Sequence, residues 1–176
     1  NIRMTFIQSH VSGHQQLHRG QCGLLLSPVM HDYEALYKRA LFQDRYVCLM
    51  SAEHPLARQE IGRDEYIEAK HLEIHYEGGW KPTYLDTPEL QGLNLNVALR
   101  LPSISNFIPT IASTDLVMTL PERLAKLIGG PMLIKDPPFT SRFELCLYWN
   151  KMTHHSKAHQ WLREQIVEVC NELDSP

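Results

Sequence analysis

Apolar and polar residues alternate in "IRMTFIQ" (residues 2–8), the spacing of a half-buried strand. "CGLLLSP" (22–28) is a continuous apolar run ended by proline, which predicts a strand covered on both faces. Between them, "SGHQQLHRG" (12–20) predicts a short helix that stops at Gly20. "YEALYKRALFQ" has no clean period, whereas "DRYVCLM" reads as a further strand. Next come a short acidic helix in "GRDEYIEAK" (62–70) and a strand in "HLEIHYEGG" (71–79) that runs into a glycine turn. "YLDTPELQGL" is helical or irregular, and "LNVALRLP" (95–102) is a strand. "SISNFIPTIAST" predicts a helix with Ser103 near its start and Pro109 inside it. "DLVMTLP", "PMLIKDPP" and "RFELCLYWN" predict strands, and "ERLAKLI" a short helix. The last element, "SKAHQWLREQIVEVCNEL" (156–173), has the strongest period. Ala158, Trp161, Leu162, Ile166, Val169, Cys170 and Leu173 keep helical spacing, and Ser156 can cap the start. Alternating strands and helices predict an α/β fold with mainly parallel sheet.

A length of 176 residues suits one domain or two small lobes, and 43% hydrophobic content is enough for a core. The formal net charge of -3, without a dense Lys/Arg run, argues against a nucleic-acid-binding surface on this chain itself. No apolar stretch reaches the length of a membrane span, and no secretory leader is visible. The opening "NIRMTFIQ" lacks an initiator methionine and reads as the interior of a longer chain. Cys22, Cys48, Cys146 and Cys170 form no C-x-x-C pair. Three lie in apolar runs and the fourth on the apolar side of a helix, as buried free thiols of a reducing cytoplasm do.

Ten histidines invite a metal reading. His10, His14 and His18 fall at i, i+4, i+8; His71 and His75 repeat the spacing in a strand, and His155 and His159 at the start of the last helix. A catalytic zinc needs three ligands with supporting partners, and neither H-E-x-x-H nor a Cys/His cluster is present. No metal and no cofactor is therefore expected, and solvated or ligand-facing histidines are favoured. "LFQDRYVCLMSAEHPLA" (41–57) poses a sharper question. Cys48, Glu53 and His54 are either a catalytic cluster or parts of a strand that crosses between lobes and stops at Pro55. The sequence has no nucleophile motif, no G-x-G-x-x-G and no phosphate loop, so an enzyme has no positive support. Two features suit binding. Trp80 in "YEGGW" could stack on a planar ligand, or equally pack on its own lobe. Ser103 in "LPSISNF" opens a helix whose free N–H groups suit an anion, although a plain N-cap is the commoner use.

Several phrases together resemble one family. "LFQDRYVCLMSAEHPLA" is similar to the L-x-x-D-x-x-V-x-x-x-x-x-x-H-P-L segment in the C-terminal effector-binding domain of LysR-type transcriptional regulators. "LPSISNFIPTIASTDLVMTLPERLA" (101–125) resembles the P-S-x-x-x-x-x-P-x-x-x-x-T-D-L-x-x-T-x-P-x-R-L-A stretch of the nodulation and aromatic-degradation regulators. "LYWNKMTHHSKAHQWLREQI" resembles that branch's closing W-L-R segment. "LHRGQCGLLLSP" resembles L-x-x-G-x-x-D, but Gly23 stands where Asp is usual. The four phrases occur in register along the whole chain.

The resemblance implies a two-lobed α/β fold like a type II periplasmic binding protein, hinged by two crossing strands. Lobe I would be residues 1–44 with 141–176 and lobe II residues 45–140. The family's first strand and helix, and its DNA-binding helix-turn-helix, would precede Asn1. The hinge would lie at Asp44, Arg45 and Tyr46 on the outgoing strand and at Ser141, Arg142 and Phe143 on the return. His10, Gly79, Trp80, Ser103 and Ile104 match the family's ligand loops. The implied ligand is a small effector, an aromatic or otherwise planar carboxylate. The implied partners are a second copy in a dimer or tetramer, promoter DNA through the preceding domain only, and RNA polymerase, in the cytoplasm and without a membrane. A solute receptor or an enzyme on the same fold is the alternative.

Overall fold

The computed structural model describes residues 3–7, 13–28, 36–75, 81–104, 107–128, 130–140 and 142–173. In chain order the elements are α1 (Gly13–His18), β1 (Leu25–Pro28), β2 (Leu36–Ser51), α2 (Arg63–Glu68), β3 (Lys70–Ile74), β4 (Val97–Leu101), α3 (Phe107–Ala112), β5 (Leu116–Pro121), α4 (Glu122–Ile128), β6 (Met132–Lys135), β7 (Arg142–Asn150) and α5 (Lys157–Glu172). Packing divides them into two compact units. One comprises the described parts of Asn1–Gln43 and Glu144–Pro176; the other comprises Asp44–Tyr76 and Lys81–Phe143, again in their described parts. The divisions fall inside β2 and near the start of β7. The motif-based boundaries lie at 44/45 and 140/141.

In the second unit β2 determines the packing. Successive strand side chains point to opposite faces. Tyr46, Cys48 and Met50 therefore enter one core with Ile61, Tyr66, Tyr84, Val117 and Phe139. Val47 and Leu49 enter a second core with Leu72, Phe107, Ile111, Met118, Leu120 and Ala125. A strand with a core on each face must be apolar at every position, which is why "YVCLM" shows no alternation. α2 covers the first face through Tyr66, and α3 and α4 cover the second through Phe107, Ile111 and Ala125. β2 pairs antiparallel with β5 on one side (Tyr46↔Pro121 to Leu49↔Met118) and with β6 on the other (Cys48↔Lys135 to Ser51↔Met132). β3 then runs parallel to both β5 and β4.

In the first unit β1 lies antiparallel to β7, from Leu25↔Tyr148 to Pro28↔Leu145. Leu17, Leu25, Cys146 and Tyr148 form its core. The buried Asn150 side chain donates to the Leu17 carbonyl (3.0 Å) and accepts from the Thr153 N–H (3.0 Å), satisfying polar groups that burial would otherwise leave costly. Arg163 is buried too; its guanidinium lies 4.6 Å over the Trp149 ring and donates to the His154 carbonyl at 2.9 Å. The Trp149 indole N–H donates to His154 Nδ1 (3.0 Å), and Tyr37 from β2 stacks on the same imidazole at 4.0 Å between ring centroids.

The structure corrects several expectations. The sheet is mixed: β5-β3-β4 is parallel as expected, while β2 and β7, the strands that pass between units, form the antiparallel pairs. Residues 3–7 form no strand, and Phe6 is 86% exposed. Alternation supplies an apolar face, but a strand also needs a neighbour's hydrogen bonds. β1 buries only alternate residues, because its Leu26 side faces solvent. α5 is rotated from its most apolar arc: Arg163 and Cys170 are buried, whereas Trp161, Val169 and Leu173 are exposed. Arg163 turns the helix inward because its aromatic and carbonyl partners lie there. Ser156 has N-cap backbone geometry but makes no side-chain capping bond.

Gly23 has a local explanation. A Cβ on it would come within 2.7 Å of His159 Cε1, so the His159 imidazole takes the space that a side chain at position 23 would need. Gly23→Ala should destabilise the first unit by about 1–3 kcal/mol through overpacking, and adding His159→Ala should recover part of that loss in urea titrations. His71 yields a second expectation. It is buried, its Nε2–H donates to the Tyr66 carbonyl (2.6 Å), and burial holds its pKa below the usual histidine value. The unfolded chain takes up this proton at a higher pH than the folded one, so the stability tied to a neutral His71 is complete above about pH 6.5 and declines as pH falls below it. The stability advantage of wild type over His71→Gln should shrink between pH 8 and pH 5.5; an advantage constant with pH would show that His71 does not contribute this dependence.

Candidate effector site and crossing strand

The cysteine and histidine of "YVCLMSAEHP" do not form a catalytic pair. Cys48 is buried in the first-face core, and burial pushes its thiol up to about 12. His54 lies beyond the strand end and is fully engaged. Its Nδ1 accepts from the Leu56 N–H (3.0 Å), and its Nε2–H donates to the Asp115 carbonyl (3.2 Å). These bonds fix the tautomer and make His54 the cap of a 3-10 turn, Pro55–Arg58, which the proline opens. Glu53 is exposed. The segment is thus a strand that ends in a capped turn.

Asp44 and Arg45 carry a polar knot at the point where β2 enters the second unit. Asp44 is buried; its carboxylate accepts the Arg45 N–H (2.7 Å) and, at 3.4 Å, the Arg123 N–H in the first turn of α4. The Arg45 guanidinium donates through Nε and Nη2 to the two oxygens of Glu122 (3.1 and 2.8 Å) and through Nη1 to Asp136 (2.6 Å). Arg45, helped by Lys126, holds the Glu122 carboxyl below the usual carboxylate range. Tyr46 is buried beside Tyr84 and Phe143, each 4.9 Å away between ring centroids, and its hydroxyl meets Thr83 Oγ1 at 3.3 Å. Of the other expected hinge positions, Arg142 is exposed and Ser141 lies outside the described residues. The motif reading found Asp44 and Arg45 but not their partners. Glu122 sits inside a matched phrase without a marked role, and Asp136 has no sequence signal beyond its place before two prolines.

Ser103 and Ile104 are exposed in the second unit, directly after β4 and before α3. The ends of β3 and β4 are neighbours: the His75 N–H donates to the Leu101 carbonyl at 2.7 Å. Both strands are parallel, so the residues that follow them leave the sheet at one carboxyl end, where ligands of open α/β sheets bind. His10, Gly79 and Trp80 lie outside the described residues. Among the described residues no three His, Cys, Asp or Glu are placed to hold a metal ion. His14 packs against the Tyr148 ring, and His71 and His154 make the bonds given above.

With this geometry in place, comparison with known proteins is specific. The LysR substrate binding domain family matches residues 3–171. The chain is 28% identical over 160 residues to the HTH-type transcriptional regulator SyrM of Rhizobium etli, covering 86% of this chain and 46% of that protein. It is 24% identical over 171 residues to the HTH-type transcriptional activator NahR of Pseudomonas putida, covering 94% and 56%. It therefore spans about half the length of the curated relatives it matches. The regulatory domain of MexT, a transcriptional activator in Pseudomonas aeruginosa, superposes with a TM-score of 0.70 at 22% identity over 88% of this chain and 76% of that one. That likeness shows the fold, the type II periplasmic-binding-protein-like arrangement. The chain belongs to the LysR substrate-binding domain family.

Proposed function

We propose that this chain is the effector-sensing part of a bacterial transcriptional regulator and that its effector is a small planar carboxylate. The observation that supports the reading most directly is Ser103 and Ile104, exposed where parallel β3 and β4 end. A serine hydroxyl and backbone N–H groups there can donate to a carboxylate. Ile104 supplies apolar contact; Trp80 supplies a flat surface for an aromatic ring, and His10 a further donor. Binding that differs between two arrangements of the units would shift their populations, and this is how an effector acts on a regulator.

In this reading promoter DNA is contacted by a helix-turn-helix outside these residues, as the word HTH in the relatives' names suggests. A homodimer or tetramer and contact with RNA polymerase belong to the same proposal. So does a cytoplasmic location; no helix among the described residues is long and apolar enough to cross a membrane. The reading includes no catalysis: Cys48 is buried and His54 is committed to a turn. A solute receptor on the same fold is disfavoured by relatives that are transcriptional regulators.

Calorimetric titration of aromatic and aliphatic carboxylic acids tests the site. Losing a charge-assisted hydrogen bond costs about 1.5–3 kcal/mol, so Ser103→Ala should weaken the best ligand roughly tenfold to a hundredfold. Trp80→Ala should weaken aromatic acids more than aliphatic ones. A ligand whose affinity ignores both substitutions would place the site elsewhere. For the non-catalytic reading, a maleimide should leave Cys48 unmodified in the native protein and label it once the chain is unfolded. Native labelling of Cys48 ahead of the half-buried Cys22 would reopen a nucleophilic role.

A further inference from the structure

Trp149, His154, Tyr37 and Arg163 all belong to the first unit and are brought together by β2, β7, α5 and the turn before α5. The Trp149 indole and the His154 imidazole are parallel to within 4° and joined at their edges, since the indole N–H donates to His154 Nδ1 at 3.0 Å. Together they form one flat plate. Tyr37 lies along it, 4.0 Å and 18° from the imidazole and 5.9 Å and 16° from the indole. The Arg163 guanidinium sits 4.6 Å over the indole and donates to the His154 carbonyl, an acceptor it shares with the Gln160 side chain. An indole nitrogen is a donor only. His154 Nδ1 must therefore be bare, with the ring's single proton on Nε2. Tyr37 is 38% exposed and His154 half-buried, so solvent protons reach the plate.

We propose that His154 is a proton-operated latch of the first unit: neutral, its imidazole completes the plate and holds Tyr37; protonated, it loses the indole bond and releases Tyr37. A proton and the Trp149 N–H compete for the same lone pair, so one excludes the other. Once Nδ1 carries a proton, two N–H groups face each other at 3.0 Å and the imidazole has to turn out of the plate. The stack on Tyr37 goes with it, because that contact needs the ring in its present plane. Most of the surrounding charge acts in the same direction. Arg163 brings a buried guanidinium to the plate, Lys151 stands in the turn that leads to His154, and His155 meets the His154 ring edge-on at 4.7 Å as a second titratable imidazole. Opposing them is Glu164, the carboxylate that acts on Arg163. From β2 the facing group is the Tyr37 phenol itself. An imidazolium added here joins cations, and like charges at short range repel. Histidine suits the role because its charge changes between roughly pH 5 and pH 8. The latch uses residues of one unit only and is independent of the effector reading.

Nuclear magnetic resonance on this chain, with no ligand present, reads both halves of the latch. The chain has three tryptophans, so Trp80→Phe and Trp161→Phe identify the Trp149 indole signal by elimination. Between roughly pH 8 and pH 5 the Trp149 N–H signal should move upfield in step with the His154 Cε1–H, and cross-relaxation between the Tyr37 and His154 rings should be lost. In His154→Gln the Trp149 signal should stay constant over this range. In His155→Gln, at an exposed residue, it should titrate as in wild type. A Trp149 signal that does not follow His154, or that still titrates in a folded His154→Gln protein, would overturn the latch. So would a Tyr37–His154 contact that survives protonation. If His154→Gln does not fold, His155→Gln decides the assignment: loss of the Trp149 titration there, with His154 intact, would transfer it to the neighbouring imidazole and overturn the proposal.

Discussion

Five consecutive residues, 46–50, must satisfy two hydrophobic cores at once, and most of the second unit follows from that constraint. Tyr46, Cys48 and Met50 are fixed on one face and Val47 and Leu49 on the other, so a shift of register by one residue would exchange the two sets. Both neighbours of the strand are constrained with it. β5 places Val117 with the first set and Met118 and Leu120 with the second, and β6 presents Leu133 to one and Ile134 to the other. Helices then have only two places to go, one per face. The position of Ser103 derives from the same sheet, since β3 pairs with β5 and β4 with β3.

Just before this apolar run the chain changes chemistry abruptly. Asp44 and Arg45 cannot enter either core, yet Asp44 is buried. They are accommodated because the start of α4 presents backbone N–H groups and Glu122 there, and because Asp136 follows β6. At an exposed surface such ion pairs contribute little to stability. Their effect here is one of position: a planar guanidinium with a two-pronged carboxylate on one side and a single carboxylate on the other has few allowed orientations. The strand's entry is thereby fixed in direction without adding apolar surface at a point where the chain passes between units.

How far these features were legible in the sequence depends on whether their causes are local. The α/β order was legible, because period and proline placement operate over a few residues. α2, α4 and α5 fall where the helical spacings put them, whereas β2 contains "DRYVCLM" but already begins at Leu36, in the run without a clean period, and α3 begins only at Phe107, beyond Ser103. The turn at His54 and Pro55 was legible as an end, though not as a cap in which the imidazole accepts one backbone bond and donates another. What could not be read needs distant partners. The inward face of α5 is set by Arg163, whose polarity argues for solvent until Trp149 and two backbone carbonyls are seen beside it. Residues 3–7 have the alternation of a strand and lack its pairing. The carboxylates on Arg45 are separated from it by most of the second unit. Of the candidate ligand residues, Ser103 and Ile104 were found through a matched phrase; their exposure at paired strand ends became visible only once β3 and β4 were aligned.

The small space above Gly23 ties two positions that are far apart in the chain. A side chain at position 23 and the His159 ring in its present orientation compete for one volume. A larger residue at 23 therefore requires the imidazole to turn away, and a smaller residue at 159 would leave room for one. The loop after α1 and the helix α5 thus share one packing decision, made through a volume that neither residue fills alone.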